Sequence, residues 1–197
     1  MRIPIKKTIL TITIITVVAI IAYLLFTKSS LLQTHKVGEK IDSFNGVAIY
    51  YNGNVGNVEG RNVVDGYNVG LKFQCVEFVK RYYLEALDHK MPDSYGHAKS
   101  FFNSKIKDGE SNKQRNLTQY KNGSRSKPKV HDLLVFNKTT FNPYGHVAII
   151  IKVTDTSIEI IQQNPGKLAK SRVIYKLSNQ KNLWRIEHNT ILGWLRK

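Results

Sequence analysis

Three patterns of apolar and polar positions run along this chain. The first is an uncharged run of 19 residues from Thr8 to Phe26, apolar on every side. As a helix it would be about 28 Å long, close to the hydrocarbon thickness of a bilayer. The second begins at Gln74. Cys75, Val79, Tyr82 and Ala86 recur at spacings of four, three and four, and Val76, Tyr83 and Leu87 widen the same stripe. That spacing predicts an amphipathic helix, and a shorter one is expected over Ala98–Lys105. The third pattern follows Pro128, where runs rich in Val, Ile and Leu predict strands at Leu133–Phe136, His146–Val153, Ile158–Gln163, Arg172–Leu177 and Ile191–Leu195. Residues 46–70 are dense in Asn and Gly and read as turns around one short strand at Val47–Tyr51. Residues 106–129 read as surface loops. Strands that follow helices, rather than alternate with them, predict an α+β fold with an antiparallel sheet and the helix packed on it.

Flanking charge gives the apolar run its meaning. Arg2, Lys6 and Lys7 precede it and Lys28 follows it, which predicts a cytoplasmic N-terminus and a domain on the outer side of the membrane. The run is longer than a cleaved signal core and lacks a small-residue cleavage pattern. The expected organisation is therefore a cytoplasmic N-terminus at 1–7, a transmembrane signal anchor at 8–26, a tether at 27–45 and a folded domain at 46–197. The first 30 residues carry four basic and no acidic residues, leaving +12 of the net +16 to the rest. An exported domain of that charge is drawn to anionic surfaces such as wall polymers. No nucleic-acid module motif is present, so nucleic acid is not an expected partner. The sequence does not specify an oligomeric state.

With a single cysteine, Cys75, no intramolecular disulfide can form. The residue is either a passive buried thiol or a reactive one. Its place at the start of the predicted helix favours a thiolate, because unpaired N–H groups and the helix dipole stabilise negative charge there. Among six histidines, His146 alone opens the strongest predicted strand, where a base from another layer can meet a helix N-terminus. A hairpin turning near Asp155 would set His146 opposite residues 162–165. Gln162 and Asn164 share one face there, and either amide oxygen could accept the imidazole N–H. Gln74 could offer an N–H to a developing oxyanion. No zinc-ligand spacing occurs, and neither metal nor cofactor is expected.

These motifs resemble a known family. Gly70-Leu71-Lys72-Phe73-Gln74-Cys75-Val76-Glu77-Phe78 is similar to the nucleophile motif of the cysteine- and histidine-dependent amidohydrolase/peptidase (CHAP) family, and Gly145-His146-Val147-Ala148-Ile149-Ile150 to its histidine motif. Lys127-Pro128-Lys129-Val130-His131-Asp132-Leu133 resembles the strand signature between them, and Ile191-Leu192-Gly193-Trp194 the terminal one. The branch most like this chain is the amidase domain of glutathionylspermidine synthetase/amidase. The resemblance implies a papain-like fold and acyl transfer through a thioester, with Cys75 as nucleophile and His146 as base. Many relatives place Glu two residues before Asn in the third-member segment; here Gln162 stands at the Glu position and Asn164 at the Asn position. His131 stands where the family usually has Gly. The expected substrate is an amide in peptidoglycan, cut by an amidase or endopeptidase. The alternatives are a small amide of the glutathionylspermidine type, or a non-catalytic domain that binds wall polymers.

Overall fold

The computed structural model describes residues 5–28, 35–93, 95–166 and 169–197. The chain divides into two units, residues 1–34 and 35–197. In the first, helix α1 spans Ile5–Lys28. Its stretch Lys7–Leu25 has a mean hydropathy of 2.6 with every side chain exposed, so it is long and apolar enough to cross a membrane. The three threonines Thr11, Thr13 and Thr16 do not interrupt it. Each hydroxyl donates to the carbonyl four residues earlier, at 2.9, 3.0 and 2.9 Å, which satisfies a polar group within the helix itself.

The second unit is built on one eight-stranded antiparallel sheet. Its strands are β5 (Glu110–Asn112), β6 (Leu117–Lys121), β7 (Leu133–Phe136), β8 (His146–Val153), β9 (Ser157–Ile161), β10 (Arg172–Gln180), β11 (Leu183–Ile186) and β12 (Ile191–Arg196). Across the sheet their order is β11-β10-β9-β8-β7-β12-β6-β5. Alternation along the central strands feeds two cores. Leu133, Val135, Val147, Ile149 and Ile161 join one with Phe78, Val79 and Tyr82 of helix α2 (Cys75–Leu87). Leu134, Ala148, Ile150, Ile160 and Trp194 join the other. Burial on both faces explains why β7 and β8 read as unbroken apolar runs. Two hairpins stand apart from the main sheet: β1 (Lys40–Phe44) with β2 (Val47–Tyr50), and β3 (Arg61–Val64) with β4 (Tyr67–Leu71).

The structure revises several expectations. Residues 40–44, assigned to the tether, are β1. The hairpin closes on Asn45-Gly46, both at positive φ, and Phe44 stacks on Tyr82 of α2 at 5.7 Å. Residues 29–34 of the tether lie outside the described residues. The second helix is shorter than expected, a single 3-10 turn over Ala98–Phe101. Residues 106–129 are not only loops but supply β5 and β6. Gln119 of β6 is fully buried with its amide bonded to Asn112 and Asn103, so a polar side chain occupies a core position and masks the strand pattern. Asp132, in the strand signature, is buried and takes two hydrogen bonds from Arg196, at 2.8 and 2.7 Å, and one from the Lys129 N–H. Its role is to fasten the C-terminal strand. His131 adopts φ +77, which explains why glycine suits this position, and its ring is held by the Tyr82 hydroxyl at 2.7 Å.

Gly145 sets the approach to β8. It has φ +74, and a Cβ there would lie 2.6 Å from the Phe136 carbonyl oxygen and 2.9 Å from Lys99 Cβ. Gly145→Ala is expected to cost about 2–4 kcal/mol, read as a lowered urea midpoint at unchanged slope. A midpoint equal to that of the parent would show that the turn relaxes freely.

Candidate active site

Cys75 is the first residue of α2, with Gln74 as an extended N-cap. The turn before it contains Phe73 at φ +64, whose ring lies 5.4 Å from that of Tyr50. Gly70, at φ +144, lets β4 pass within van der Waals reach of the Glu77 backbone, where a Cβ would meet Glu77 Cα at 3.0 Å. The helix tip is thus pressed against the β3–β4 hairpin. The N–H groups of Val147, Val76 and Cys75 itself are turned toward the Cys75 sulfur and favour its thiolate. Burial outweighs them and pushes the thiol up to about 11. The N–H of Val147 belongs to the residue that follows His146. The helix tip that carries Cys75 therefore lies against the end of β8, one residue along the backbone from His146.

His146 is partly buried, and its Nε2 is 2.9 Å from Gln162 Oε1. An amide oxygen only accepts, so Nε2 carries the proton and Nδ1 is the basic nitrogen. Gln162 is fixed in turn: its Nε2 donates to the Lys170 carbonyl at 3.0 Å and its backbone N–H to the Ser171 carbonyl at 2.8 Å. Burial pulls the imidazole down to about 4, and the Gln162 hydrogen bond opposes this only in part. At neutral pH both thiol and imidazole are uncharged in this structure.

Strand register explains which amide reaches the ring. Ile149 pairs with Ile161 across β8 and β9. Extending that register sets His146 opposite Asn164, with Gln162 diagonal to it on the same face. Asn164 adopts φ +53, which breaks the alternation and turns its side chain elsewhere. Its Nδ2 donates to Gln74 Oε1 at 2.7 Å and to the Val55 carbonyl at 3.0 Å. Of the two candidate amides, Gln162 bonds to His146, and Asn164 is turned to Gln74 and Val55. Gln74 also differs from expectation. Its Nε2 donates to the carbonyls of Asn57 at 2.7 Å and Val55 at 3.1 Å, so both side-chain hydrogens are committed to the Val55–Asn57 loop rather than to an oxyanion. Of the N–H groups that face the sulfur, those of Cys75 and Val76 lie at the helix tip and that of Val147 lies on β8.

Sequence reasoning missed Gln163 and Glu77. Gln163 is fully buried between the layers. Its Oε1 accepts from the Tyr50 N–H at 2.8 Å, and its Nε2 donates to the Gln74 carbonyl at 3.0 Å and to Glu77 Oε2 at 2.9 Å. Glu77 Oε1 accepts from Arg81 Nε at 2.7 Å and from Asn62 at 2.9 Å, and Arg81 reaches the Ala48 carbonyl at 2.8 Å. An acidic and a basic residue four apart on the predicted helix, Glu77 and Arg81, were the available signal for the ion pair. Among the described residues no group of His, Cys, Asp and Glu could hold a metal ion.

The family model of the CHAP domain matches residues 64–164, a span that includes Cys75, His146, Gln162 and Asn164. Trypanothione synthetase of Crithidia fasciculata is 29% identical over 146 residues, covering 68% of this chain and 22% of that protein. Glutathionylspermidine synthase of the same organism is 26% identical over 139 residues, covering 64% of this chain and 19% of that protein. The chain thus spans about a fifth of the length of these curated relatives. Among solved structures, the crystal structure of Ly7917 matches over 37% of this chain and 29% of its own, with 25% identity and a TM-score of 0.27.

The lowered imidazole sets a pH dependence of stability. An unfolded imidazole takes up its proton near 6.5, whereas the folded one does so only near 4. Stability from this group is complete above pH 6.5 and is lost as pH falls toward 4. Between pH 7 and pH 4.5 the parent should lose about 2–3 kcal/mol more than His146→Asn does, measured by urea unfolding. Equal losses would mean that the ring is not held neutral.

Proposed function

The chain belongs to the CHAP family, a hydrolase family of amidases and peptidases, and on that premise we propose that it is a membrane-anchored cysteine amidohydrolase of papain-like fold that cleaves amide bonds in peptidoglycan. The observation that carries this reading is the juxtaposition at one end of β8. The Cys75 sulfur lies by the Val147 N–H, and the adjacent His146 is held in a single tautomer by Gln162.

In the proposed mechanism His146 Nδ1 takes the thiol proton as Cys75 Sγ attacks the amide carbonyl. Charge on the carbonyl oxygen is met by N–H groups at the α2 tip. The imidazolium gives its proton to the leaving amine, and a thioester remains on Cys75. Water, deprotonated by His146, then releases the acid. Gln162 keeps Nε2 protonated and Nδ1 basic throughout. As a neutral amide it orients the ring but adds no negative charge to stabilise imidazolium. This fits an imidazole held neutral in the resting state and proton transfer coupled to attack, rather than a preformed ion pair.

Residues 8–26 would serve as the anchor, with residues 1–7 cytoplasmic and the basic domain outside, where anionic wall polymers lie. The apolar α1 and the +12 charge of the remaining chain support this placement. A second reading, hydrolysis of a small glutathione–polyamine amide, takes its support from the two synthetase relatives. The proposed outward placement favours the wall substrate.

Two measurements test the proposal. Purified protein should release new amino and carboxyl termini from sacculi, and Cys75→Ala should lower that release by at least about 10⁴-fold. Equal release by both proteins rules out Cys75 as nucleophile, and release from a glutathione–polyamine conjugate alone moves the substrate to the second reading. Gln162→Glu should place a carboxylate against the imidazole, raise its pKa and speed alkylation of Cys75 by iodoacetamide at pH 6–7. An unchanged rate would show that Gln162 does not act through the ring.

A further inference from the structure

Two carbonyls hold Gln162, those of Lys170 and Ser171, at the far end of the connection between β9 and β10. That connection leaves the sheet after Ile161 and rejoins it at Arg172, which pairs with Ile161. Within it Asn164 and Gly166 both adopt positive φ and interrupt the extended backbone. The orientation of the His146 ring therefore depends on what fixes residues 170–172.

The β1–β2 hairpin grips the connection at both ends. At its start the Tyr50 N–H of β2 donates to Gln163 Oε1 at 2.8 Å. At its end Asp42 of β1 accepts from the Ser171 hydroxyl at 2.8 Å and twice from the Arg172 guanidinium, Nε at 2.9 Å and Nη2 at 3.0 Å. Arg172 Nη2 also donates to the Ser43 carbonyl at 3.1 Å. A bulge in β1 accompanies these contacts. The ladder slips between Lys40 and Asp42, and Ile41 and Phe44 both pack on the core although they lie three apart. In an unbroken strand residues three apart face opposite sides. Burial raises the Asp42 carboxyl, but the bonds from Arg172, Ser171 and the Ser43 N–H outweigh it and hold the group below its ordinary value. The ion pair itself is partly open to water, with Asp42 18% and Arg172 42% exposed, so it adds little to global stability. What the carboxylate supplies is the placement of two adjacent residues.

We propose that Asp42 is a positioning residue for the His146 base, acting through Ser171 and Gln162. The inference rests on His146 being the base of the reaction. Each link is a hydrogen bond: Ser171 Oγ to Asp42 Oδ2, the Gln162 N–H to the Ser171 carbonyl, and His146 Nε2 to Gln162 Oε1. The Lys170 carbonyl, one residue earlier, holds the Gln162 side chain. Without the carboxylate, residues 170–172 lose their tie to the hairpin. The Gln162 amide then loses its fixed acceptors, and the imidazole its single tautomer.

The test is the NMR of the ring nitrogens in isotope-labelled histidine, recorded at neutral pH on the full-length protein in detergent micelles. The His146 signals are identified by their loss in His146→Asn. When one tautomer dominates, the two ring nitrogens differ widely in shift, and when tautomers mix the shifts converge. Asp42→Ala should narrow the His146 difference by at least about half and lower kcat on sacculi about 10–100-fold, with KM within about twofold of the parent. Gln162→Leu should narrow the difference as well. The double variant Asp42→Ala/Gln162→Leu should be no worse than Gln162→Leu alone, because Asp42 acts through Gln162. Asp155→Ala, which removes the ion pair to Lys127, should leave the His146 signals as in the parent. Should Asp42→Ala not fold, Ser171→Ala tests the same link by deleting one hydroxyl and should narrow the difference in the same direction. An unchanged tautomer in the folded variant, or losses that add in the double variant, would overturn the role of Asp42. A tautomer that shifts as expected in a protein that cuts no amide would uphold the positioning and overturn the hydrolase reading instead.

Discussion

The bond between strand end and helix tip that runs through Gln163 holds this site together. A helix resting on a sheet through apolar contacts alone is free to slide by fractions of an ångström, because such contacts have little directionality. Gln163 removes that freedom. It donates to the Gln74 carbonyl and the Glu77 carboxylate of the helix tip and accepts from the Tyr50 N–H. Glu77 is itself buried and neutralised by Arg81. A buried charge pair of this kind stabilises little relative to an apolar replacement, but losing either partner leaves an uncompensated charge. Its value here is registration. The residue before Gln163 orients His146 and the residue after it binds Gln74, so three consecutive side chains align base, helix tip and loop.

The electrostatics of the pair follow from where it sits. Packing on the sheet partly withdraws both sulfur and ring from water and disfavours either charge. The N–H groups at the helix tip work against this for the thiol, and Gln162 does so for the imidazole. In both cases burial is the larger effect. A carboxylate in place of Gln162 would shift that balance, so in the proposed mechanism the neutral amide sets reactivity as well as geometry.

Much of this was legible in the sequence, for reasons that differ between elements. β7 and β8 were read to the residue because both of their faces are buried. Helix α2 was legible from its 3.6-residue stripe, and so were the positions of Cys75 at the start of α2 and His146 at the start of β8. β1 was hidden because only Ile41 and Phe44 of its five residues are apolar, and β6 because its core positions include Gln119. Assignment of Gln162 over Asn164 needed coordinates, since it turns on one positive φ at Asn164. Gln163 was invisible for a related reason: a glutamine in a polar turn looks the same whether it faces solvent or spans two layers. The orientation of Gln74 likewise depends on a loop, Val55–Asn57, that no periodicity describes.

The central claim is that Cys75, activated by His146, carries the acyl group of the substrate. Hydroxylamine competition during digestion of sacculi examines it most directly. An acyl-cysteine partitions between water and hydroxylamine, so the account predicts fragments ending in hydroxamate, in a proportion that rises with hydroxylamine, and none with Cys75→Ala. Digestion that proceeds at full rate and yields carboxylate ends alone at every hydroxylamine concentration would contradict it.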